Sequence, residues 1–227
     1  MRLVERIHPS EHKTDFRTRY IKYRAGRLKH QYWLWNRKRT DKVLDEYDAK
    51  ILKNCKSGTT AFFASSGYYL KEMWPHIDSI EIHPVVKEFY PDVILTNTRA
   101  ELPLVVPNKY DNFAVVNNRG DHWVGIDGLT QHLLDYSKVL NPGARVFYSF
   151  RDTQIQYNRL TVDSVDYFLK WAKGLESIGL TLVWSDINFK KKVKDGNGHY
   201  DAFENPDTSN GNLKFWFVYK GKPWDIR

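Results

Sequence analysis

The sequence has few of the residues that build cross-links, metal sites or membrane segments. Cys55 is its only cysteine, which excludes an internal disulfide and a zinc site made of several cysteines. No apolar run approaches the roughly 20 residues that a membrane-spanning helix needs. The N-terminal stretch MRLVERIHPSEHK also lacks the apolar core of a signal peptide. We therefore expect a cytoplasmic protein with no bound metal and no membrane contact.

Positive charge is concentrated at the start of the chain. The formal net charge is +8 over 227 residues. Residues 1–42 contain 13 Lys or Arg against four acidic residues, which leaves 22 basic and 23 acidic residues in the remainder. The basic character therefore belongs to an N-terminal arm and not to the rest of the protein.

Within this arm, Arg and Lys alternate with aromatic residues. Such interleaving can neutralise phosphates while the rings stack on bases, so nucleic acid is a predicted partner. Two alternatives are an arm laid across its own domain, with Trp33 and Trp35 buried, and an arm that contacts another protein. The residues predicted to bind nucleic acid are Arg17, Arg19, Arg24, Arg27, Lys29, Trp33, Arg37, Lys38 and Arg39.

The spacing of apolar residues predicts alternating strands and helices. We divide the chain into an arm with one helix, residues 1–56, and one α/β domain, residues 57–227. Strands separated by helices indicate a mostly parallel sheet with helices on both faces, and the last two strands, joined without a helix, indicate an antiparallel edge strand. Helices are predicted from a cap at Thr40 or Asp41 to about Asn54 and over residues 68–74, 85–90, 128–140 and 165–178. Strands are predicted over residues 59–64, 79–83, 93–96, 112–116, 145–150, 180–185 and 213–220, with a long loop over 190–212.

This order of elements, from Thr59 to Lys220, resembles the class I S-adenosylmethionine-dependent methyltransferases. The resemblance implies a Rossmann-like sheet of seven strands whose last strand is antiparallel, with S-adenosylmethionine as the cofactor. In that family a glycine-rich turn follows the first strand, and an acid at the end of the second strand holds the ribose hydroxyls. Gly67 in FFASSGYYL stands at the last glycine, and Glu81 in SIEIHP stands at the acid. The cofactor contacts implied by the resemblance are Ala64, Ser65, Ser66, Gly67, Glu81, Ile82, Thr98 and Asn117.

The match to the family signature is partial. Phe63 and Ser65 occupy the other two glycine places, and Ala61 occupies the place of the usual first acid. Thr98 stands where an acid often contacts the adenine amino group, although a hydroxyl can still accept that hydrogen bond. Each matched residue also has a structural interpretation: Glu81 could be a capped strand-end carboxylate, and Gly67 a plain turn glycine.

The stretch VVNNRGDHW, after the fourth strand, lies where the family places residues of the substrate pocket. Asn117, Asp121 and His122 are the candidate catalytic residues there, and a surface position is the alternative for Asp121 and His122. The Asn/Asp-Pro-Pro-aromatic motif of amino-methylating DNA enzymes is absent, and Cys55 has no Pro-Cys context. Amino methylation of bases by that route and the usual cytosine C5 chemistry are therefore disfavoured.

The alternatives to a methyltransferase are a spermidine synthase, a nicotinamide enzyme and an inactive methyltransferase-like fold. The EIHPVVKEFYPDV stretch is also similar to spermidine synthases, which transfer an aminopropyl group, but the arm here is basic where those enzymes have an acidic polyamine pocket. A nicotinamide enzyme would need GxGxxG after the first strand, which FFASSGYYL does not supply. A catalytically inactive methyltransferase-like fold, acting as a nucleic-acid-binding or assembly protein, is the main alternative because Ala61, Phe63 and Thr98 depart from the signature.

If the arm binds nucleic acid through phosphates, the logarithm of the binding constant should fall linearly with the logarithm of salt concentration, by about 0.9 per phosphate contacted. We expect this slope for the full chain in fluorescence anisotropy with labelled RNA and DNA, and loss of binding on deletion of residues 1–39. Binding that does not depend on salt would contradict the prediction, and unfolding of the deletion variant would favour an arm packed on its own domain.

Overall fold

The structure is a computed structural model that describes residues 46–65, 67–71, 73–116, 125–151, 165–185, 193–194, 200–201 and 212–221. The arm and the predicted helix cap at Thr40 or Asp41 lie outside these residues. Among the described residues, no helix is long and apolar enough to cross a membrane. In the same part of the chain, no group of three or more His, Cys, Asp or Glu residues could hold a metal ion.

Strands and helices alternate along most of the described chain. The helices are α1 (Glu46–Cys55), α2 (Gly67–Lys71), α3 (Val85–Phe89), α4 (Leu102–Val105), α5 (Gly125–Ser137) and α6 (Val165–Gly174), with 3-10 turns at Arg99–Glu101 and Leu175–Ile178. The strands are β1 (Thr60–Phe63), β2 (Asp78–Glu81), β3 (Ile94–Leu95), β4 (Tyr110–Val115), β5 (Leu140–Arg151), β6 (Leu180–Ser185), β7 (Val193–Lys194), β8 (Tyr200–Asp201) and β9 (Asn212–Tyr219).

Seven strands form one sheet in the order β3-β2-β1-β4-β5-β9-β6. The pairs from β3 through β5 are parallel, and β9 is antiparallel to both of its neighbours. The predicted α/β architecture with an antiparallel last strand is confirmed. The predicted edge position of that strand is wrong. The crossover through α6 carries the chain one strand position beyond β5, so β9 fills the gap and β6 becomes the edge.

Two local predictions also differ from the structure. Helix α5 ends at Ser137, and β5 begins at Leu140, so Asn141-Pro142-Gly143 lies inside a strand and does not terminate a helix. The register shifts here, from Tyr110 opposite Leu140 to Asn112 opposite Arg145. Gly143, with a φ of 87°, permits the bulge. The predicted loop over residues 190–212 contains β7 and β8, which pair with each other.

Rings fill much of the core on both faces of the sheet. The largest fully buried side chains in the described part are all Tyr or Phe, among them Tyr47 and Phe147. On the α1 face, Trp184 stacks on Trp216 with ring centroids 4.6 Å apart. Many of the aromatic side chains are therefore used for packing. The high aromatic content is for this reason weak evidence of a binding surface.

Hydrogen bonds to one carboxylate tie together the turns at the amino edge of the sheet. Asp111 accepts from the Thr59 hydroxyl at 2.8 Å and from the Asn141 side-chain amide at 2.9 Å. These bonds favour the ionised form and lower the pKa of Asp111. The network contributes stability above the ordinary carboxylate pKa, and this contribution is lost as the pH falls toward the lowered value. It fixes the edge opposite the one where parallel sheets bind ligands.

A buried ion pair joins α1 to β9, the strand next to the β6 edge of the sheet. Lys214 of β9 donates to Asp48 of α1 at 2.9 Å, with side chains only 4% and 7% exposed. The Lys214 ammonium also lies 5.4 Å from the centre of the Tyr47 ring. Because each charge would be costly to bury alone, the pair fixes where α1 sits on the sheet.

Removing one partner of the Lys214–Asp48 pair should lower the free energy of unfolding more than removing both. We expect Lys214→Met to lower the free energy of unfolding by about 3–5 kcal/mol, because Asp48 is left charged and buried. The combined variant Asp48→Leu, Lys214→Met should recover most of that loss. Urea denaturation measures both.

The matched control is Asp135→Asn, since the charge that it leaves behind belongs to Lys138, which pairs with Asp135 at 2.6 Å and has a side chain that is 44% exposed. A loss below about 1 kcal/mol is expected there. Equal losses of unfolding free energy for Lys214→Met and Asp135→Asn would show that burial of the remaining charge does not set the cost.

Candidate cofactor site

The sheet order itself marks a ligand crevice. The chain leaves β1 toward β2 on one side and leaves β4 toward β5 on the other, although β1 and β4 are paired neighbours. In open α/β sheets, ligands bind outside the carboxyl ends of the strands at such a switch in strand order. The ends of β1 and β4, near Phe63 and Val115, therefore form the floor of the candidate site.

The chain turns sharply out of the sheet just after β1. Ala64 has a φ of 47° and is the one non-glycine residue with positive φ among those described. A side chain in this region costs about 1–2 kcal/mol, so the surrounding structure must hold it. The amide of Ala64 donates to the carbonyl of Ile80 at 2.8 Å. This bond places the β1 turn directly beside the end of β2, where Glu81 follows Ile80.

Gly67 begins α2 and is buried against the two strands below it. A Cβ atom at this position would lie 2.7 Å from Phe62 Cβ and 3.1 Å from Ser79 Oγ. The first contact is between backbone-anchored atoms that cannot rotate away. Gly67 is therefore required for close approach of the helix to the sheet, which is the role of the last glycine in dinucleotide-binding turns.

The side chain of Ser65 lies beneath the turn and not in the crevice. It is 1% exposed, and its hydroxyl donates to the Phe63 carbonyl at 2.7 Å. The same oxygen accepts from the Val116 amide at 2.8 Å. The hydroxyl of Ser65, a predicted cofactor contact, thus already donates its proton to the protein backbone.

Glu81 closes β2 in the predicted position. Its carbonyl accepts from the Thr96 amide at 3.0 Å, and it pairs with Leu95 in the parallel ladder. Its side chain is fully buried, so a ribose can reach the carboxylate only by displacing the groups that cover it. Ile82, the next residue, is 43% exposed and offers an apolar surface beside the acid.

The turn after β3 brings one predicted and one unpredicted residue to the same edge. Thr98 is exposed and precedes the 3-10 turn at Arg99–Glu101. Arg99 donates through Nε to the Tyr136 hydroxyl at 3.0 Å, and its guanidinium lies 5.5 Å from the centre of the Phe63 ring. Arg99 was not predicted from the sequence, because its partners Tyr136 and Phe63 are distant along the chain.

Two departures from the family signature, Phe63 and Ala61, lie in the core. The Phe63 ring packs against Tyr136 and Phe113, with centroids 5.2 Å and 6.2 Å away, and Ala61 is buried in the same cluster. A phenylalanine at this glycine place therefore fills the space under α5. It does not by itself block the crevice above the strand ends.

Cys55 is excluded as a nucleophile by its surroundings. It ends α1, is fully buried, and burial raises the pKa of its thiol far above the usual range. Only the thiolate is reactive, so this cysteine contributes packing and no chemistry.

The other predicted site residues fall outside the described part of the chain. These are Ser66 of the first turn, Asn117, Asp121 and His122 after β4, and all nine residues of the arm predicted to bind nucleic acid. Their roles stay predictions. The structure brings together the β1 turn, Glu81 and Ile82, with Thr98 on the neighbouring turn.

The chain is similar in structure to known methyltransferases. An O-methyltransferase family 2 protein from Planctomyces limnophilus DSM 3776, solved in complex with apigenin, matches with a TM-score of 0.53 at 12% identity, covering 96% of this chain and 65% of that one. A mutant form of a 16S rRNA (adenine(1408)-N(1))-methyltransferase from Catenulisporales acidiphilia matches with a TM-score of 0.50 at 15% identity, covering 81% of this chain and 94% of that one. No protein-family model matches the sequence, and no curated protein matches it with significant similarity.

The fold is therefore that of the class I S-adenosylmethionine-dependent methyltransferases. Its strand order, with β9 in the place of the family's antiparallel seventh strand, confirms the predicted resemblance. At these identities the likeness concerns the fold, and the activity must be argued from the site.

The described residues fit S-adenosylmethionine in kind and in place. An acid ends β2, an exposed apolar side chain follows it, and a tight turn lies next to both. The buried state of Glu81 adds one requirement, since its carboxylate must be uncovered for the ribose. Binding of the cofactor in this place would therefore require a rearrangement that uncovers Glu81.

Substituting Gly67 should test the close approach of α2. Gly67→Ala is expected to lower the free energy of unfolding by about 1–3 kcal/mol, as overpacking does. It should also lower the affinity for any ligand that contacts the turn. Thermal and urea unfolding measure the first effect.

Gly174 is the matched control because a Cβ there meets nothing within 4 Å and its φ is −61°. Gly174→Ala should be neutral or stabilising by up to about 1 kcal/mol. Similar destabilisation by both substitutions would contradict a special role for Gly67.

Proposed function

We propose that this chain is an S-adenosylmethionine-dependent methyltransferase. The observation that carries the proposal is the meeting of the β1 turn and Glu81 at the switch in strand order, joined by the bond from the Ala64 amide to the Ile80 carbonyl. A nucleoside needs an acceptor for two ribose hydroxyls and a close backbone turn; the β1 turn would supply the second, and Glu81, once uncovered, the first.

Each part of the cofactor has a proposed contact. The Glu81 carboxylate would accept from the ribose hydroxyls, Ile82 would pack against the adenine, and the Thr98 hydroxyl would accept from its amino group. Residues 64–67 would approach the remaining part of the cofactor through their backbone. S-adenosylmethionine, when bound, supplies a methyl group on a sulfonium centre.

Methyl transfer requires the protein mainly to align the donor with the acceptor. Transfer from a sulfonium is an in-line displacement, so holding the donor and the acceptor in line provides most of the acceleration. A general base is needed only when the acceptor arrives protonated. Asn117, Asp121 and His122, which follow β4 in the sequence, are the proposed residues on the acceptor side.

The acceptor is proposed to be a nucleic acid, on the strength of the basic arm. The structural neighbours do not decide the matter, because one is named as an rRNA methyltransferase and the other is an O-methyltransferase solved with apigenin. Small molecules and protein side chains are the alternatives that an activity screen with a labelled methyl donor would separate.

A second candidate function is a methyltransferase-like fold that no longer binds the cofactor. The complete burial of Glu81 favours it, since a carboxylate that stays covered cannot hold a ribose. Such a protein would act as a nucleic-acid-binding or assembly component. Cofactor binding separates the two functions directly.

Calorimetric titration of the full chain with S-adenosylhomocysteine tests the proposal. We expect saturable binding and a rise in melting temperature. Glu81→Gln keeps the size of the side chain but removes the charge that strengthens its hydrogen bonds, so affinity should fall about tenfold to a hundredfold.

Glu176→Gln serves as the control, because Glu176 is exposed in the turn before β6, at the opposite edge of the sheet. The affinity of Glu176→Gln for S-adenosylhomocysteine should equal that of the unsubstituted chain. Absence of heat and of any thermal shift at millimolar ligand would overturn the proposed enzyme and leave the inactive fold.

A further inference from the structure

The ladder between β1 and β4 is interrupted at the switch in strand order. Asn112 donates its amide to the Thr59 carbonyl at 3.1 Å, and Thr60, Ala61 and Phe62 stand opposite Asn112, Phe113 and Ala114. In a parallel pair these bonds repeat every second residue along the strand. Two steps further, the Val116 amide would donate directly to the Phe63 carbonyl.

The Ser65 hydroxyl stands between these two backbone groups. It accepts from the Val116 amide at 2.8 Å and donates to the Phe63 carbonyl at 2.7 Å. Both groups are therefore satisfied, but through an inserted oxygen and not through a direct bond. The oxygen is buried, since Ser65 is 1% exposed, so the bridge is part of the packed structure.

We propose that Ser65 is a positioning residue whose inserted hydroxyl holds the ends of β1 and β4 apart and so sets the width of the ligand crevice. The two strand ends are the floor of the site, and the β1 turn is fixed on its other side to β2 through Ala64 and Ile80. A change in the distance between the ends of β1 and β4 therefore moves the β1 turn and Glu81 relative to the end of β4. This inference rests on the proposed cofactor site.

The substitution Ser65→Ala removes the inserted oxygen. The Val116 amide and the Phe63 carbonyl are then left without their partner, and the direct ladder bond, about 2.9 Å long, is the nearest way to satisfy both. The strand ends should close together, and the crevice should narrow. We expect the affinity for S-adenosylhomocysteine to fall about tenfold, measured well below the melting temperature of each protein so that only folded molecules are compared.

Ser79→Ala is the matched control. Ser79 is also a fully buried serine, it lies under the same turn beside Gly67, and its hydroxyl has no hydrogen-bond partner in the described structure. Its removal should leave the affinity unchanged. A purely structural role for Ser65 would lower the melting temperature of Ser65→Ala without altering the affinity, so the affinity separates positioning from stability.

A crystal structure of Ser65→Ala gives a readout that does not depend on the cofactor. The expected result is a direct hydrogen bond between the Val116 amide and the Phe63 carbonyl. A water in place of the hydroxyl, with the strand ends unmoved and full affinity retained, would overturn this inference alone. If the unsubstituted chain binds no S-adenosylhomocysteine, the proposed function fails and this inference fails with it.

Discussion

The site depends on the divergence of β1 and β4 after three parallel pairs. Up to Phe62 and Ala114 the two strands are held by an ordinary ladder. Beyond that point the chain leaves β1 through Ala64, whose φ of 47° is unfavourable for a side chain. Two bonds hold this conformation, one from the Ala64 amide to β2 and one through the Ser65 hydroxyl to β4. These bonds attach the turn to the strands on both sides of β1.

Local patterns were sufficient to predict most of the fold but not the contacts across it. The order of strands and helices along the chain follows from apolar spacing and from turn residues, which act over a few positions. The places of Gly67 and Glu81 in the site were implied by the family resemblance. The pair between Asp48 and Lys214 joins residues 166 positions apart, and no periodicity reveals it. The edge position was mispredicted for the same reason, since sequence order does not state which strand fills the gap beside β5.

The sequence indicated which residues lie near the candidate site. It did not indicate the directions in which the side chains of Ser65 and Phe63 point. Ser65 was expected to face a ligand, yet its hydroxyl is used between backbone groups below the turn. Phe63 occupies one of the family's glycine places, and its ring fills the core beside Tyr136. A sequence motif gives the place of a residue along the strand, whereas the direction of its side chain depends on how the strand ends, which is set by tertiary contacts.

The burial of Glu81 bears on how tightly a cofactor could bind. A covered carboxylate must lose its present contacts before it accepts from a ribose, so the free energy of that opening is subtracted from the binding free energy. Opening at about one part in a hundred would weaken the apparent affinity about a hundredfold. The ends of β1 and β4 below Glu81 are already held in place by the bonds of Ser65 and Ala64. Rearrangement is therefore expected above Glu81 and not at the strand ends below it.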